Sequence, residues 1–535
     1  MRSDRMVQGS YVDLTKFEHQ EKHILENLSS LALDAIVEGD GISDSKCKTK
    51  IICTLGPVSR DVAKVEEMLR AGMNIARFNF SHGTHEYHQE TLNNVRQAVA
   101  NTGIKCGILL DTKGPEIRTG MLDHGGPVML EKDSEITLTT DYNFKGNEKT
   151  IAVSYPSLAK DVKPGSQILC ADGSITLTVL SCDVKAGTVK VRCENSAKLG
   201  ERKNMNLPGV VVDLPTITEK DKKDLIDWGV KNKVDYIAAS FVRKGSDVDF
   251  IRKTLGEAGK HIQIISKVEN MEGLDNFNDI VAASDGVMVA RGDLGMEIRM
   301  EQIFLAQKRM IKRCNDAGKF VVTATQMLES MTGAPRPTRA EATDVANSIL
   351  DGTDCIMLSG ETAAGSYPIE AIKVMSEIAH EAEAYVDNKL VFQSIFNHQS
   401  LPMSTNESVA SSAIRSAQKV GASLVVCLAE SGNTAKLLAK YRPACPILCL
   451  CIPIRQEKIK EKGQHAHDPE AVARRLLSSR GVYPFVSLEA QDSPKAYMDF
   501  AIALAKRIGM CKTGDRVVGV HDVDDSAVMK IVDVE

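Results

Sequence analysis

At 535 residues, with 43% hydrophobic and 26% charged positions, the chain has the make-up of a soluble globular protein and is too long for one hydrophobic core. About three or four domains are expected. A formal net charge of −5 leaves no global basic face, which argues against nucleic acid as the principal partner.

Thirteen cysteines, an odd number spread from Cys47 to Cys511, read as reduced thiols and not as a disulfide framework. No stretch approaches the roughly twenty apolar residues of a membrane span. Residues 1–47 lack the apolar core of a secretory signal, and Leu25, Leu28, Leu31, Leu33 and Ile36 mark one face of a short helix that packs on the body or on a partner subunit. The expected compartment is the cytoplasm.

From Lys50 onward, eight apolar runs alternate with stretches of helical periodicity: Ile51–Leu55, Ile75–Phe80, Gly107–Leu110, Tyr236–Phe241, Ile262–Ile265, Gly286–Val289, Phe320–Thr323 and Asp354–Leu358. Eight such units suit a (β/α)8 TIM barrel, with two doubly wound sheets as the competitor. The barrel is favoured because polar residues end nearly every run: Arg77 and Asn79, Asp111, Ser240, Lys267 and Glu269, Asp293, Thr325, and Ser359 to Glu361. Residues 48–115 and 215–387 are assigned to the barrel. Between them, 116–214 carry short alternating runs such as Glu135–Thr139 and Thr188–Arg192 among Gly, Pro, Asn and Asp, and read as a small β-barrel inserted as a lid. Residues 388–535 read as a C-terminal α/β domain with a mainly parallel sheet. Its Ser431-Gly432-Asn433-Thr434 turn leads from strand to helix, either a phosphate loop or a plain N-capping loop. Cys445, Cys449 and Cys451 alternate with Ile447, Leu448 and Leu450 as in a buried strand, so a metal site there is not expected.

Two segments carry most of the chemistry, Ser266-Lys267-Val268-Glu269-Asn270 and Met288-Val289-Ala290-Arg291-Gly292-Asp293. Each follows a buried-strand pattern, and barrel enzymes place their chemistry at strand carboxyl ends. Glu269 and Asp293 offer two hard oxygen ligands on adjacent strand ends, with the Lys267 cation beside them and a glycine turn next door. That set suits a divalent metal holding a phosphorylated anion. A surface ion pair and an ordinary turn are the plain alternative.

Over almost the whole chain from Lys48, these residues resemble pyruvate kinases. The resemblance is carried by 49–57 (TKIICTLGP), 77–83 (RFNFSHG), 110–120 (LDTKGPEIRTG), the two segments above, 324–331 (ATQMLESM), and Asp344-Val345-Ala346-Asn347 through Ser359-Gly360-Glu361-Thr362. It implies a homotetramer with a C-terminal regulatory domain that transfers the phosphoryl group of phosphoenolpyruvate to ADP, giving pyruvate and ATP. It also implies Mg2+ or Mn2+ on Glu269 and Asp293, with Lys267 stabilising the transferred group and Arg77 holding phosphate. Ser240, Ala290, Arg291, Gly292 and Asp293 then line the substrate site, the amides of 291–293 facing its carboxylate, while Thr325 positions water for enolate protonation. K+ is assigned to Asn79, Ser81, Asp111 and the Thr112 carbonyl. Glu116 points to K+ dependence, since relatives with lysine there supply the charge internally. Asn79, His82, Arg118 and Lys203 match nucleotide contacts; there is no Walker-type phosphate loop, so ADP falls to the barrel mouth and lid. Ser431, Gly432, Asn433 and Thr434 match an effector loop. The terminal 519–525 stretch lacks a Trp/Arg arm and carries three aspartates, and an insertion spans Glu457 to Arg475. Activation by fructose 1,6-bisphosphate is therefore not expected, and a monophosphorylated sugar or no sugar effector is. Two alternatives are another metal-dependent pyruvate or phosphoenolpyruvate barrel enzyme and a non-catalytic metabolite-sensing scaffold.

Overall fold

The computed structural model describes residues 47–453, 468–487, 493–523 and 526–535. The N-terminal helical segment expected within 1–47 and the front of the 457–475 insertion lie outside the described residues. Eight parallel strands close into a barrel: β1 (Lys50–Thr54), β2 (Met73–Asn79), β3 (Gly107–Asp111), β4 (Tyr236–Ala239), β5 (Gln263–Val268), β6 (Gly286–Ala290), β7 (Phe320–Ala324) and β8 (Cys355–Leu358). Pairing of Lys50 with Cys355 and of Cys53 with Leu358 joins β8 back to β1. The two-sheet alternative is excluded.

The strands are apolar on both faces because both faces are covered. Ile52, Ile75, Leu109, Ala238, Ile265 and Met288 fill the interior, and alternate residues such as Ile51, Ala76, Leu110 and Ile264 pack beneath the helices. Leu477 of the C-terminal domain joins the interior set. Gly286 opens β6 because a Cβ there would stand 2.4 Å from the Phe320 ring.

Strand β5 runs three residues past its expected end at Ile265, and Lys267 pairs with Met288 inside the sheet. The reason is directional. Side chains two apart share a face, so Lys267 points inward above Ile265, where carboxylates receive it. By the same step Arg77 stands above Ile75, Asp111 above Leu109 and Ser240 above Ala238. The barrel's topmost interior layer is therefore polar and charged.

The insertion forms a seven-stranded sheet, running from Ile117–Arg118 through Asn204–Asn206, Gln167–Cys170, Ile175–Asp183, Thr188–Cys193 and Glu135–Thr139 to Thr150–Ala152. Its two edges meet at the Thr119–Val153 bridge, where Gly120 N donates to Ala152 O at 2.7 Å, so the sheet closes on itself around its own core. The last unit is a five-stranded sheet in the order β11-β10-β9-β12-β13, from β9 (Leu424–Ala429), β10 (Ile447–Cys451), β11 (Val482–Val486), β12 (Arg516–Val523) and β13 (Ser526–Asp533). Only the β12–β13 pair is antiparallel. Cys449 and Cys451 are fully buried in β10.

Candidate active site

Lys267 is the centre of the polar layer. Its Nζ lies 3.0 Å from Glu269 Oε1 and 3.2 Å from Asp111 Oδ1, and donates to Ser240 Oγ at 2.9 Å. Burial works against its charge, but Asp111 and Glu269 outweigh that cost and hold the lysine protonated above its ordinary range. Asp111 is 1% exposed and also accepts from Arg77 Nε at 2.7 Å. Burial would raise its pKa, yet Arg77 and Lys267 bring it below the usual carboxylate value. Arg77 is further fixed by NH1 donating to Thr54 Oγ1 at 2.8 Å. Glu269 is 1% exposed, and its Oε2 accepts from Phe241 N at 2.6 Å, a peptide placed by the left-handed φ of 55° at Phe241.

Asp293 opens the helix Arg291–Glu297 and is partly exposed at the mouth. Burial first, then the charge of Glu269, pushes it up to about 7, with Glu116 and the lid's Asp172 adding to the shift against Lys267. The mouth therefore holds more negative charge than its lysine neutralises, and its donors are hard oxygens. That fits a divalent cation on Glu269 and Asp293. Among the described residues no group of three or more His, Cys, Asp or Glu could hold a metal, so such an ion would complete its shell with substrate and water oxygens.

The Arg291 side chain turns away from the mouth. It donates to the carbonyls of Ala324 (3.2 Å) and Thr325 (2.8 Å) and pairs with Asp344 at 2.7 Å, leaving only its main chain for a ligand. Thr325 and Gln326 are held at φ of 75° and 54°. A Cβ on Gly292 would come within 2.8 Å of Thr325 Cγ2, so glycine is what lets the helix start approach Thr325. Ala290, the N-cap residue of that helix, pairs with Ala324 at the ends of β6 and β7.

Asn79 and Asp111 are paired neighbours on β2 and β3, and Asn79 Oδ1 accepts from Ser81 N at 3.1 Å. The Thr112 carbonyl accepts from Ser240 Oγ at 2.7 Å. His82 is exposed on the same rim. Arg118 lies on one lid strand and Lys203 immediately precedes the strand paired with it, with Asn204 registered opposite Arg118. The Arg118 guanidinium pairs with Glu116 at 2.6 Å and reaches Arg202 O at 2.8 Å. Ser431, Gly432, Asn433 and Thr434 lie apart from all of these, at the start of the helix Asn433–Lys440 beside a cavity of about 80 Å3 that Tyr497 and His521 also line. Glu361 does not join the site: it accepts from Leu328 N (3.1 Å) and Ser359 N (2.7 Å), strapping the loops after β7 and β8 together.

Sequence reasoning missed Glu297. It is 8% exposed and receives the Asn206 side chain and Leu207 main chain of the lid; burial raises its pKa to about 7, with Asp293 adding and the two lid hydrogen bonds opposing. Its spacing of four from Asp293 put both on one helix face, the only signal available. Gly173 of the lid approaches Met296 on the same helix. A cavity of about 200 Å3, lined by Met205, Val210, Phe241, Met271, Asp293 and others, lies between lid and mouth.

A closed barrel thus carries a buried lysine and two carboxylates at its carboxyl mouth, with a lid above them. The family described as pyruvate kinase, barrel domain, matches residues 46–372, and pyruvate kinase, alpha/beta domain, matches 407–532. The chain belongs to the pyruvate kinase family. It is 58% identical over 489 residues to a cytosolic pyruvate kinase isozyme of Solanum tuberosum, covering 90% of this chain and 95% of that one. A pyruvate kinase of Eimeria tenella is 46% identical over 519 residues, covering 96% of this chain and 94% of that one. The crystal structure of a pyruvate kinase from Cryptosporidium parvum superposes with a TM-score of 0.87 at 44% identity, covering 94% of this chain and 100% of that one. The chain is thus a phosphotransferase of this family, with its TIM-barrel fold. No described helix is long and apolar enough to cross a membrane.

Proposed function

We propose that the mouth transfers the phosphoryl group of phosphoenolpyruvate to ADP, with the residues in the roles the sequence suggested. The observation that carries this is the buried Lys267 ammonium, held 3.0 Å from Glu269 and 3.2 Å from Asp111 on the inward face of the barrel.

Phosphoryl transfer between polyanions needs alignment and charge compensation more than covalent help. Arg77, braced by Asp111 and Thr54, receives the substrate phosphate from one side, and Lys267 meets it from the other. The bond from phosphorus to the enol oxygen breaks while a bond to the β-phosphate oxygen of ADP forms. Lys267 then faces the enolate oxygen, whose negative charge it stabilises in a site preorganised before reaction. The substrate carboxylate fits the main-chain amides of Gly292 and Asp293. Thr325 holds the water that delivers the proton to the enolate carbon; an unshifted hydroxyl is too weak an acid to do so itself. Glu269 and Asp293 would hold Mg2+ or Mn2+, which when bound neutralises the oxygens gathered between them. Asn79, Ser81, Asp111 and the Thr112 carbonyl would hold K+. Asn79, His82, Arg118 and Lys203 would take the nucleotide, and the lid shuts water out.

The assembly is read as a cytosolic homotetramer whose loop Ser431–Thr434 takes a sugar monophosphate or no sugar effector. Calorimetric titration showing tight fructose 1,6-bisphosphate binding would overturn the effector reading. The main test is a coupled assay with phosphoenolpyruvate, ADP, Mg2+ and K+. ATP and pyruvate formed one for one are the expected products; no turnover in the folded protein excludes the assignment and favours the scaffold.

A further inference from the structure

Where the amino ends of β6, β7 and β8 face the C-terminal domain lies a second charged space, lined by Asp285, Lys319, Asp354, Lys436, Arg442 and Ser479. Its volume is about 30 Å3. A single water needs ~10–15 Å3 by such a measure, so there is room for one small ion.

The charges inside do not balance. Asp285 is paired with Arg252 at 2.8 Å, Asp354 with Arg442 at 2.8 Å, and Glu407 with the neighbouring Lys440. Lys319 Nζ donates to the Ser284 carbonyl at 2.7 Å. The Lys436 Nζ has no hydrogen-bond or ion-pair partner among the described residues. Arg442 is 5% exposed, and although its NH2 donates to Asp354 Oδ2 at 3.0 Å, its Nε and NH1 have no hydrogen-bond partner. NH1 is near Asp354 Oδ1 but out of line for a hydrogen bond. Two ammonium groups and an under-used buried guanidinium thus share a cavity whose carboxylates are already committed, an arrangement costly without a counter-charge.

We propose that this cavity binds one small inorganic anion, a halide or an oxyanion, between Lys436 and Arg442 with Lys319 and Ser479 alongside. The strain on Lys436 agrees with this. Burial, partly offset by Asp285, together with the charges of Arg475 and Lys319 brings it down to about 8. The position has a consequence for coupling. Lys436 lies in the first turn of Asn433–Lys440, directly behind the Ser431–Thr434 loop, while Asp285, Lys319 and Asp354 each immediately precede a barrel strand. An anion here pins that helix to β6, β7 and β8, the first two of which lead into Asp293 and Thr325.

The test uses bromide as probe. Crystals of the full chain soaked in sodium bromide should show an anomalous peak between Lys436 and Arg442, absent in Lys436→Met crystals. In solution, replacing gluconate by chloride at constant ionic strength should raise the wild-type melting temperature and leave that of Lys436→Met unmoved. Competition of the bromide peak by sulfate tells an oxyanion site from a halide site, both within the proposal. No peak in the wild type, bromide bound equally in the variant, or a chloride shift that survives the substitution would each overturn it.

Discussion

Lys267→Met tests the reaction centre most directly. The substitution keeps the length of the side chain and deletes its charge. Deleting one preorganised donor to a developing oxyanion costs about 10²–10³ in kcat, some 3–4 kcal/mol. Lys267 brings a full charge to both the transferred group and the enolate, so a fall in kcat of at least about 10³ is expected. There is a structural cost as well, because Asp111 and Glu269 are each 1% exposed. Stripping a buried carboxylate of its only partner costs about 3–5 kcal/mol. Here each retains another donor, Arg77 at 2.7 Å for Asp111 and the Phe241 amide at 2.6 Å for Glu269, so the loss should fall at or below the bottom of that range. The variant should fold, melt several degrees lower and bind phosphoenolpyruvate through Arg77. A coupled steady-state assay beside a circular-dichroism melt reads both effects. A folded variant with kcat within tenfold of wild type would refute the role given to Lys267.

Exchanging K+ for tetramethylammonium should lower kcat at least about tenfold, and Glu116→Lys, which supplies a fixed charge near Asp293, should blunt that dependence; equal rates in both salts would remove the K+ assignment. Gly292→Ala should reduce kcat with little change in melting temperature, because the new methyl would stand 2.8 Å from Thr325 Cγ2 and must push that side chain aside; unchanged turnover would free Thr325 from its positioning role. Glu297→Gln tests the lid anchor through pH. A carboxyl raised in the folded state to about 7 lends stability below its unfolded pKa and loses it as pH climbs toward 7. The variant should therefore gain on wild type between about pH 4.5 and pH 7, approaching ~3 kcal/mol by denaturant titration. A difference that stays flat across that interval would mean Glu297 titrates normally.

The barrel was legible because its signals are local. Each strand is a short apolar run, and the period of two carries a reader from Ile75 to Arg77, from Leu109 to Asp111 and from Ile265 to Lys267 without any structure. What was less legible is where such a run stops. Lys267 looked like a residue beyond the strand's end, because a charge inside a fully buried strand is unfavourable unless something receives it, and its receivers are Asp111 on another strand and Glu269 in the loop that follows.

The contacts that stayed hidden share one property: they are set by the lid's pairing or by neighbouring barrel loops, even where the residues themselves, Arg118, Lys203 and Arg291, stood out in the sequence. Arg118 and Lys203 are adjacent only because strands far apart in sequence pair, and nothing local announces that register. Glu297 reads as a solvent-facing helix residue until Asn206 and Leu207 arrive from the insertion. Arg291 presents the sharper case. The sequence reading gave the substrate its amide and left the side chain without a task; that side chain is spent on the carbonyls of Ala324 and Thr325 and on Asp344. The motif's arginine thus holds β7's end in its left-handed conformation, and its glycine makes room for the threonine so placed. On that division of roles, Arg291→Lys should be harmful although charge is conserved: one ammonium cannot span two carbonyls and a carboxylate. The loss should appear in kcat and leave the KM for phosphoenolpyruvate nearly unchanged, since the side chain is given no contact with substrate.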